Sequence, residues 1–257
     1  QAAGRRLRIH VKADTGMSRL GWLCNEGHRT EAADAIAAVC ALPGLEVEGI
    51  YTHFANADGD EAYTMGQFTR FLELLSELEG RGITFPIRHC AASAAVLKYP
   101  CTHLDMVRPG VALYGHYPDP SCEGLDGVGL RPVMALKTRV ASVKAVPAGT
   151  PVSYGCTHVL ERDAELAALT VGYADGLPRL CSDRLEVLIR GQRAPIVGRV
   201  CMDMCMADAT GLGAAPGDEV ELFGEHLPVE DAAALAGTIQ YELLCAVSPR
   251  VPREYLN

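Results

Sequence analysis

The stretch Leu7-Arg8-Ile9-His10-Val11-Lys12-Ala13-Asp14-Thr15-Gly16-Met17 decides how the first half of this chain folds. Leu7, Ile9 and Val11 alternate with Arg8, His10 and Lys12, which is the period of two of a strand with one apolar face. Asp14-Thr15-Gly16-Met17 then reads as a turn. Outward from there, the Ala-rich run 27–41 reads as a helix that stops at Pro43-Gly44, and 45–52 as a strand. Residues 60–79 predict a helix with Phe68, Phe71, Leu72, Leu75 and Leu78 at helical spacing, ended by Gly80 and Gly82. Then come a strand at 84–90, a short helix at 93–99 and a strand at 104–107, before Pro109-Gly110. Strands alternating with helices predict a parallel sheet or a barrel. An eight-stranded (β/α) barrel takes about 250 residues, and roughly four βα units fit before residue 117, so this part reads as a small open sheet or half a barrel.

The pattern changes near residue 117. Tyr117-Pro118-Asp119-Pro120 to Gly129 has the Pro, Gly and Asp content of a linker. After it lie β-prone apolar runs at 132–146, 166–172, 185–190, 195–207 and 218–223, with Gly191-Gln192 placed like a hairpin turn. Helices are expected at 229–237 and near 239–246. The expected division is therefore 1–125, α/β, and 126–257, mainly β.

Composition narrows the function. Of 257 residues, 49% are apolar and 21% charged, enough for a packed core. A net charge of −9 without a basic block argues against nucleic acid and anionic membrane as partners. No uncharged apolar run reaches about 18 residues, so no transmembrane helix is expected. Gln1 does not read as a natural start or as part of a signal peptide. Ten cysteines at irregular spacing suit a reduced, cytoplasmic chain. The close pair Cys201 and Cys205 has no partner cluster, so no metal site is expected. Only four lysines occur: Lys12, Lys98, Lys137 and Lys144.

Several residues stand where chemistry is placed in such folds. Lys12, Asp14 and Arg19 surround the end of the first strand, the usual active-site rim of a parallel sheet, although a solvated turn with a surface ion pair would look the same. Thr52-His53 ends a second strand. His89-Cys90-Ala91-Ala92-Ser93 runs into a helix start, where Ser93 suits an N-cap or an anion site. In Met106-Val107-Arg108-Pro109-Gly110, an arginine at an apolar strand end needs a partner, either an anionic cofactor or a carboxylate such as Asp105. In the second half, Tyr154 and Tyr173 lie beside glycines, Asp203 lies between methionines, and Gln240-Tyr241-Glu242 lies near a helix start.

Taken in order, the runs HVKADTGMSRLG, THFANAD, HCAASAA, MVRPGVALYG, VSYG, GYADGLPR, GRVCMDM and RVPREY resemble alanine racemase, a fold-type III pyridoxal-phosphate enzyme, from about residue 5 to the end. The resemblance implies the C-terminal part of a (β/α)8 barrel followed by a mainly β C-terminal domain, in a head-to-tail homodimer with active sites shared between subunits. It implies that L- and D-alanine are interconverted with pyridoxal 5′-phosphate, supplying D-alanine for cell-wall peptidoglycan. Carried over residue by residue, Ser93, Gly110, Val111 and Tyr241 would hold the phosphate, Arg108 would donate to the pyridine nitrogen, and His53 would lie beside the ring. Tyr154 would be one of two acid–bases, acting in the other subunit's site. Arg19 would tune that site and bind the substrate carboxylate, and Lys12 matches a position carbamylated in some members. Tyr173, Met202 and Asp203 would line the substrate entrance. Because guanidinium is a far weaker acid than pyridinium, Arg108 would keep the ring nitrogen unprotonated, weakening the electron sink and suppressing transamination. Tyr154, with an ordinary pKa of about 10, would need a nearby positive charge to act as a base, and Arg19 is the candidate.

Two departures stand out. The family's cofactor-bearing lysine, in a Tyr-Gly-His-rich motif early in the barrel, has no counterpart here, so the chain reads as an N-terminally truncated racemase, inactive alone. Ala92 also stands where members often have Asn. The alternatives are a serine or broad-specificity racemase and a non-catalytic remnant that binds the cofactor.

Overall fold

The computed structural model describes residues 4–127 and 129–256. The chain divides into two compact units, Gln1–Arg131 and Pro132–Asn257.

In the first unit the strands are β1 (Leu7–Asp14), β2 (Trp22–Leu23), β3 (Leu45–Tyr51) and β4 (Ile87–His89), in the order β2-β1-β3-β4 and all parallel. Helix α1 (Arg29–Cys40) leads from β2 to β3, α2 (Glu61–Gly80) leads from β3 to β4, and α3 (Ser93–Lys98) follows β4. Register places Lys12 beside Tyr51 and Tyr51 beside His89, so three strand ends form one row. The sheet makes room for this row at Gly49. A Cβ there would stand 2.5 Å from His10 Nδ1 and 2.5 Å from the Ile87 carbonyl, so only glycine fits.

Helix α2 starts where Asp60 caps it, its carboxylate accepting from the Tyr63 amide at 2.9 Å. It packs Phe68, Phe71, Leu74 and Leu78 against the core with Ile36, Val11 and Ile50. Each such side chain, once buried, contributes about 1.5–3 kcal/mol. Leu74 is buried where the spacing predicts Leu72, which is exposed. Arg81, at the end of α2, bonds Asp34 of α1 at 2.6 Å and Glu77 at 2.7 Å.

The strand expected at 104–107 does not form. Only a single parallel bridge, Ala92 to Arg108, continues the sheet there. Pro109 lacks an amide hydrogen, and Asp105 is occupied with Arg88, so no ladder propagates.

The second unit holds a six-stranded antiparallel sheet in the order β10-β9-β12-β5-β8-β11 and a two-stranded ribbon. Its strands are β5 (Leu136–Val146), β6 (Pro151–Val152), β7 (His158–Val159), β8 (Ala164–Leu169), β9 (Glu186–Ile189), β10 (Gln192–Pro195), β11 (Cys205–Asp208) and β12 (Glu219–Phe223). Helices α4 (Val229–Leu235) and α5 (Gln240–Ala246) follow. The core comprises Val187, Ile189, Leu169, Ile196, Val220 and Leu222, among others.

Two expectations change here. The run 195–207 is not one strand. It folds back on itself, with the Cys201 amide donating to the Met204 carbonyl at 2.8 Å and the Val197 amide to the Met206 carbonyl at 2.8 Å. The hairpin turn is Arg190-Gly191, both with positive φ, and not Gly191-Gln192, because Gln192 already pairs with Ile189.

Among the described residues no helix is long and apolar enough to cross a membrane, and no cluster of three His, Cys, Asp or Glu could hold a metal ion.

Candidate active site

The first unit gathers its candidate residues at the C-terminal ends of the parallel strands. Arg108 is the centre. Its Nη1 donates to His89 Nδ1 at 2.5 Å. Its Nη2 donates to the Thr52 carbonyl at 3.0 Å, to His53 Nδ1 at 3.2 Å and to the Cys90 carbonyl at 3.3 Å. The guanidinium carbon also lies 5.3 Å from the Tyr51 ring centroid. All these acceptors are neutral. Among the described residues no carboxylate bridges Arg108, and Asp105, the alternative partner, binds Arg88 at 2.7 Å.

A guanidinium only donates, so Nδ1 of both His89 and His53 must be an acceptor, and each ring proton sits on Nε2. His89 Nε2 then donates to His10 Nδ1 at 2.8 Å, and His10 Nε2 faces Glu48 Oε2 at 3.6 Å. Burial first, then the charges of Arg108 and His10, push the His89 pKa down to about 4. The ring stacks on Tyr51 with centroids 4.9 Å apart. Burial, then Arg108, Arg19 and Lys12, lower the His53 pKa too. Both imidazoles are thus held neutral around a half-buried cation.

Lys12 is buried, and its pKa is lowered by that burial first, then by Arg19, with Asp14 opposing and Arg108 adding to the lowering. Arg19 itself is exposed. It follows a loop tied down by Asp14, whose Oδ1 accepts the amides of Gly16, Met17 and Ser18 at 3.0, 2.9 and 3.0 Å. Asp14 therefore serves that loop and is not the surface ion-pair partner that a solvated turn would need. An open recess of about 310 Å³ lies beside it, lined by Lys12, Leu20, Gly21 and Trp22.

Ser93 does not cap its own helix. Ala92 holds the N-cap position, without a side-chain bond, because the hydroxyl is engaged elsewhere. Ser93 Oγ accepts the Gly110 amide at 2.8 Å and the Ala112 amide at 3.3 Å. Ser93 and Val111 are buried, and Val111 opens the short turn Val111–Tyr114. Two backbone amides thus converge on a buried hydroxyl beside the Arg108 cluster.

In the second unit three separate motifs meet. The turn Tyr154–Cys156 links β6 to β7. Ser153 has φ 64° and ψ −173°, and Cys156 has φ 51°. Such non-glycine conformations cost of order 1–3 kcal/mol each and persist only where the surroundings hold them. The Ser153 hydroxyl donates to the Arg199 carbonyl at 2.7 Å. Gly155, at φ 76°, passes against the Arg199 guanidinium, where a Cβ would come within 2.7 Å of Nη1. The same segment receives the other tyrosine. The Tyr173 amide donates to the Cys201 carbonyl at 3.0 Å and the Ala174 amide to the Met202 carbonyl at 2.9 Å. Tyr154, Tyr173 and Met202 are 70%, 46% and 58% exposed, so this unit presents them on its surface, with Asp203 also exposed. Tyr241 lies in the first turn of α5, in this unit, while Ser93 belongs to the other.

The sequence reading missed His10, His89 and Tyr51 as parts of the Arg108 cluster. The signal was available: His10 and Lys12 share a face of β1, and an isolated Gly49 inside a strand marks close approach of a neighbour.

A parallel βα unit with a half-buried guanidinium and a serine cradle at its strand ends, followed by an antiparallel β unit, defines a barrel-plus-β-domain protein. Residues 1–118 match the family model described as alanine racemase, N-terminal domain, and residues 133–255 that described as alanine racemase, C-terminal domain. An alanine racemase of Desulforamulus reducens is 50% identical over 260 residues, covering 100% of this chain and 69% of its own length. One of Desulfovibrio desulfuricans is 48% identical over 257 residues, covering 99% of this chain and 67% of its own length. The solved alanine racemase of Streptomyces coelicolor superposes with a TM-score of 0.91 at 40% identity, over 100% of this chain and 68% of that one. The chain belongs to the alanine racemase family, whose members depend on pyridoxal phosphate, and has its barrel-plus-β-domain fold.

Proposed function

We propose that this chain belongs to a racemase that interconverts L- and D-alanine with pyridoxal 5′-phosphate, in the cytoplasm, as a head-to-tail dimer supplying D-alanine for peptidoglycan. One observation carries the reading: Arg108 is a half-buried cation whose acceptors are all neutral and which no carboxylate bridges among the described residues. That donor set fits a pyridine nitrogen left unprotonated. The Ser93 hydroxyl with the Gly110 and Ala112 amides fits a phosphate oxygen. Bound pyridoxal phosphate supplies a conjugated ring that takes up the charge left when Cα loses its proton.

The chain's own residues do the rest. Ser93, Gly110, Val111 and Tyr241 hold the phosphate. Arg108 donates to the ring nitrogen, and His53, kept neutral, lies beside the ring without competing for that proton. His89 and His10 continue the chain of donors away from Arg108, so its orientation is fixed from behind. Tyr154 removes or returns the Cα proton on one face in the partner's site, with Arg19 supplying positive charge and binding the substrate carboxylate. Tyr173, Met202 and Asp203 shape the entrance. Lys12 is a carbamylation position: burial favours its neutral amine, the form that takes up carbon dioxide, and the carbamate would pair with Arg19. Of the remaining lysines, Lys98 bonds the Asp58 carbonyl and Ser121, Lys137 bonds Glu219, and Lys144 is exposed on β5. None of them is assigned as the lysine that carries the cofactor. The ten free thiols support a reducing compartment.

The test follows the enantiomers. Full-length protein loaded with cofactor should convert L-alanine to D-alanine and the reverse, read by chiral chromatography. Tyr154→Phe should lower the rate by orders of magnitude in at least one direction, and near-normal rates both ways would refute the assignment.

A further inference from the structure

Tyr154 stands on a turn that its own backbone does not favour. Ser153 and Cys156 flank it, both with positive φ. Something must hold the turn, and two side-chain anchors do so from opposite ends. On the N-terminal side the Ser153 hydroxyl donates to the Arg199 carbonyl at 2.7 Å, and Cys201 Sγ lies 3.4 Å from the Ser153 hydroxyl oxygen. On the C-terminal side His158, in β7, bonds Asp183 Oδ1 through Nδ1 at 2.8 Å, and the pair is about one third exposed. The same Asp183 oxygen accepts the Gly198 amide at 2.5 Å, and the neighbouring Ser182 hydroxyl accepts the Val200 amide at 3.0 Å. Both ends of the tyrosine turn are therefore fixed to one strip, 198–201, directly on one side and through 182–183 on the other.

We propose that Ser153 and the His158–Asp183 pair are positioning residues for Tyr154, which fix where the phenol stands without touching substrate or cofactor. The proposal rests on the reading of Tyr154 as an acid–base. It assigns three side chains, in two anchors, a role through geometry: without either anchor the turn relaxes toward ordinary φ values and carries the phenol with it. A displacement of about 1 Å at a reacting group is enough to cost catalysis heavily.

The experiment compares Ser153→Ala and His158→Ala in the full-length holoenzyme, each in the Tyr154 background and in the Tyr154→Phe background. In the Tyr154 background each should lower kcat roughly three- to tenfold in the direction that Tyr154 controls, the value of one neutral hydrogen bond, with KM within about twofold. In the Tyr154→Phe background neither should lower it further. Ser153→Gly relieves the backbone but lacks the hydroxyl, so it should not restore the rate. Asp183→Asn keeps the oxygen that accepts from both His158 and Gly198, so it should run near the wild-type rate, whereas Asp183→Ala should reproduce the kcat loss of His158→Ala; the melting temperature of each is read alongside, which guards against a variant that merely unfolds. Equal losses in both backgrounds, a loss confined to KM or cofactor loading, full recovery in Ser153→Gly, or a normal rate in Asp183→Ala would each overturn the proposal. Tyr154→Phe at the wild-type rate would instead overturn the acid–base reading, so the two failures are distinct.

Discussion

Replacing His89 by Asn keeps an acceptor near the place of Nδ1 for Arg108 and removes the titrating ring. His89 is only 4% exposed, and its pKa is pushed from 6.5 to about 4 by burial, then by Arg108 and His10. The imidazolium is thus disfavoured in the folded state, and between those two values the unfolded chain binds the extra proton. Stability from this group is full above pH 6.5 and is lost as pH falls toward about 4. At about 1.36 kcal/mol per pKa unit, the loss between pH 7.5 and pH 4.5 is about 2–3 kcal/mol. Urea unfolding followed by circular dichroism at the two pH values reads it directly. The wild type should lose about 2–3 kcal/mol more than His89→Asn over that interval. His53 also carries a lowered pKa, but it contributes to both proteins and drops out of the difference. Equal pH dependence in the two proteins would refute the neutral, Arg108-facing state of His89.

Arg108→Glu would place an anion at the ring nitrogen and favour its protonated form, so pyruvate formed by transamination should rise against racemisation, and an unchanged ratio would count against the assignment. Ser93→Ala removes the hydroxyl on which two amides converge. Cofactor affinity by fluorescence titration should fall roughly 10–100-fold, the value of one hydrogen bond to a charged group, and unaltered binding would place the phosphate elsewhere. Burial pushes the thiols of Cys24, Cys90 and Cys205 to about 12 and that of Cys181 to about 11, while Cys101, Cys156 and Cys245 are exposed. Native thiol labelling should therefore modify the exposed three first, and early labelling at Cys205 would contradict the packing of the β unit.

The alternation in Leu7–Lys12 made β1 legible, because a strand with one buried face must show period two. The helix over Glu61–Gly80 was legible for the same kind of reason, but its buried face turned on Leu74, since a spacing of three or four leaves the choice between adjacent leucines to tertiary packing. The fold-back at 195–207 was not legible. Its apolar residues suit a strand, and the reversal rests on backbone bonds at Val197 and Cys201 that no side-chain pattern announces. Of the site, Ser93, Arg108 and Gly110 stood out as polar or small residues at apolar strand ends. His89 did not, because its role depends on Arg108, nineteen residues away, and on His10 across the sheet. Likewise the contact of Ser153 with Arg199 spans forty-six residues, so the tyrosine turn could be named from sequence but not the strip that holds it.

We propose that Arg108 of one subunit and Tyr154 of its partner form one site. Mixing two full-length inactive variants tests it most directly: Arg108→Ala with an intact Tyr154, and Tyr154→Phe with an intact Arg108, dissociated together and reassociated. In a shared-site dimer each mixed pair rebuilds one fully native site, so random pairing should recover about a quarter of the wild-type racemisation rate. No recovery, with mixed dimers demonstrated by native mass spectrometry, would contradict the account and put both residues of each site on a single chain.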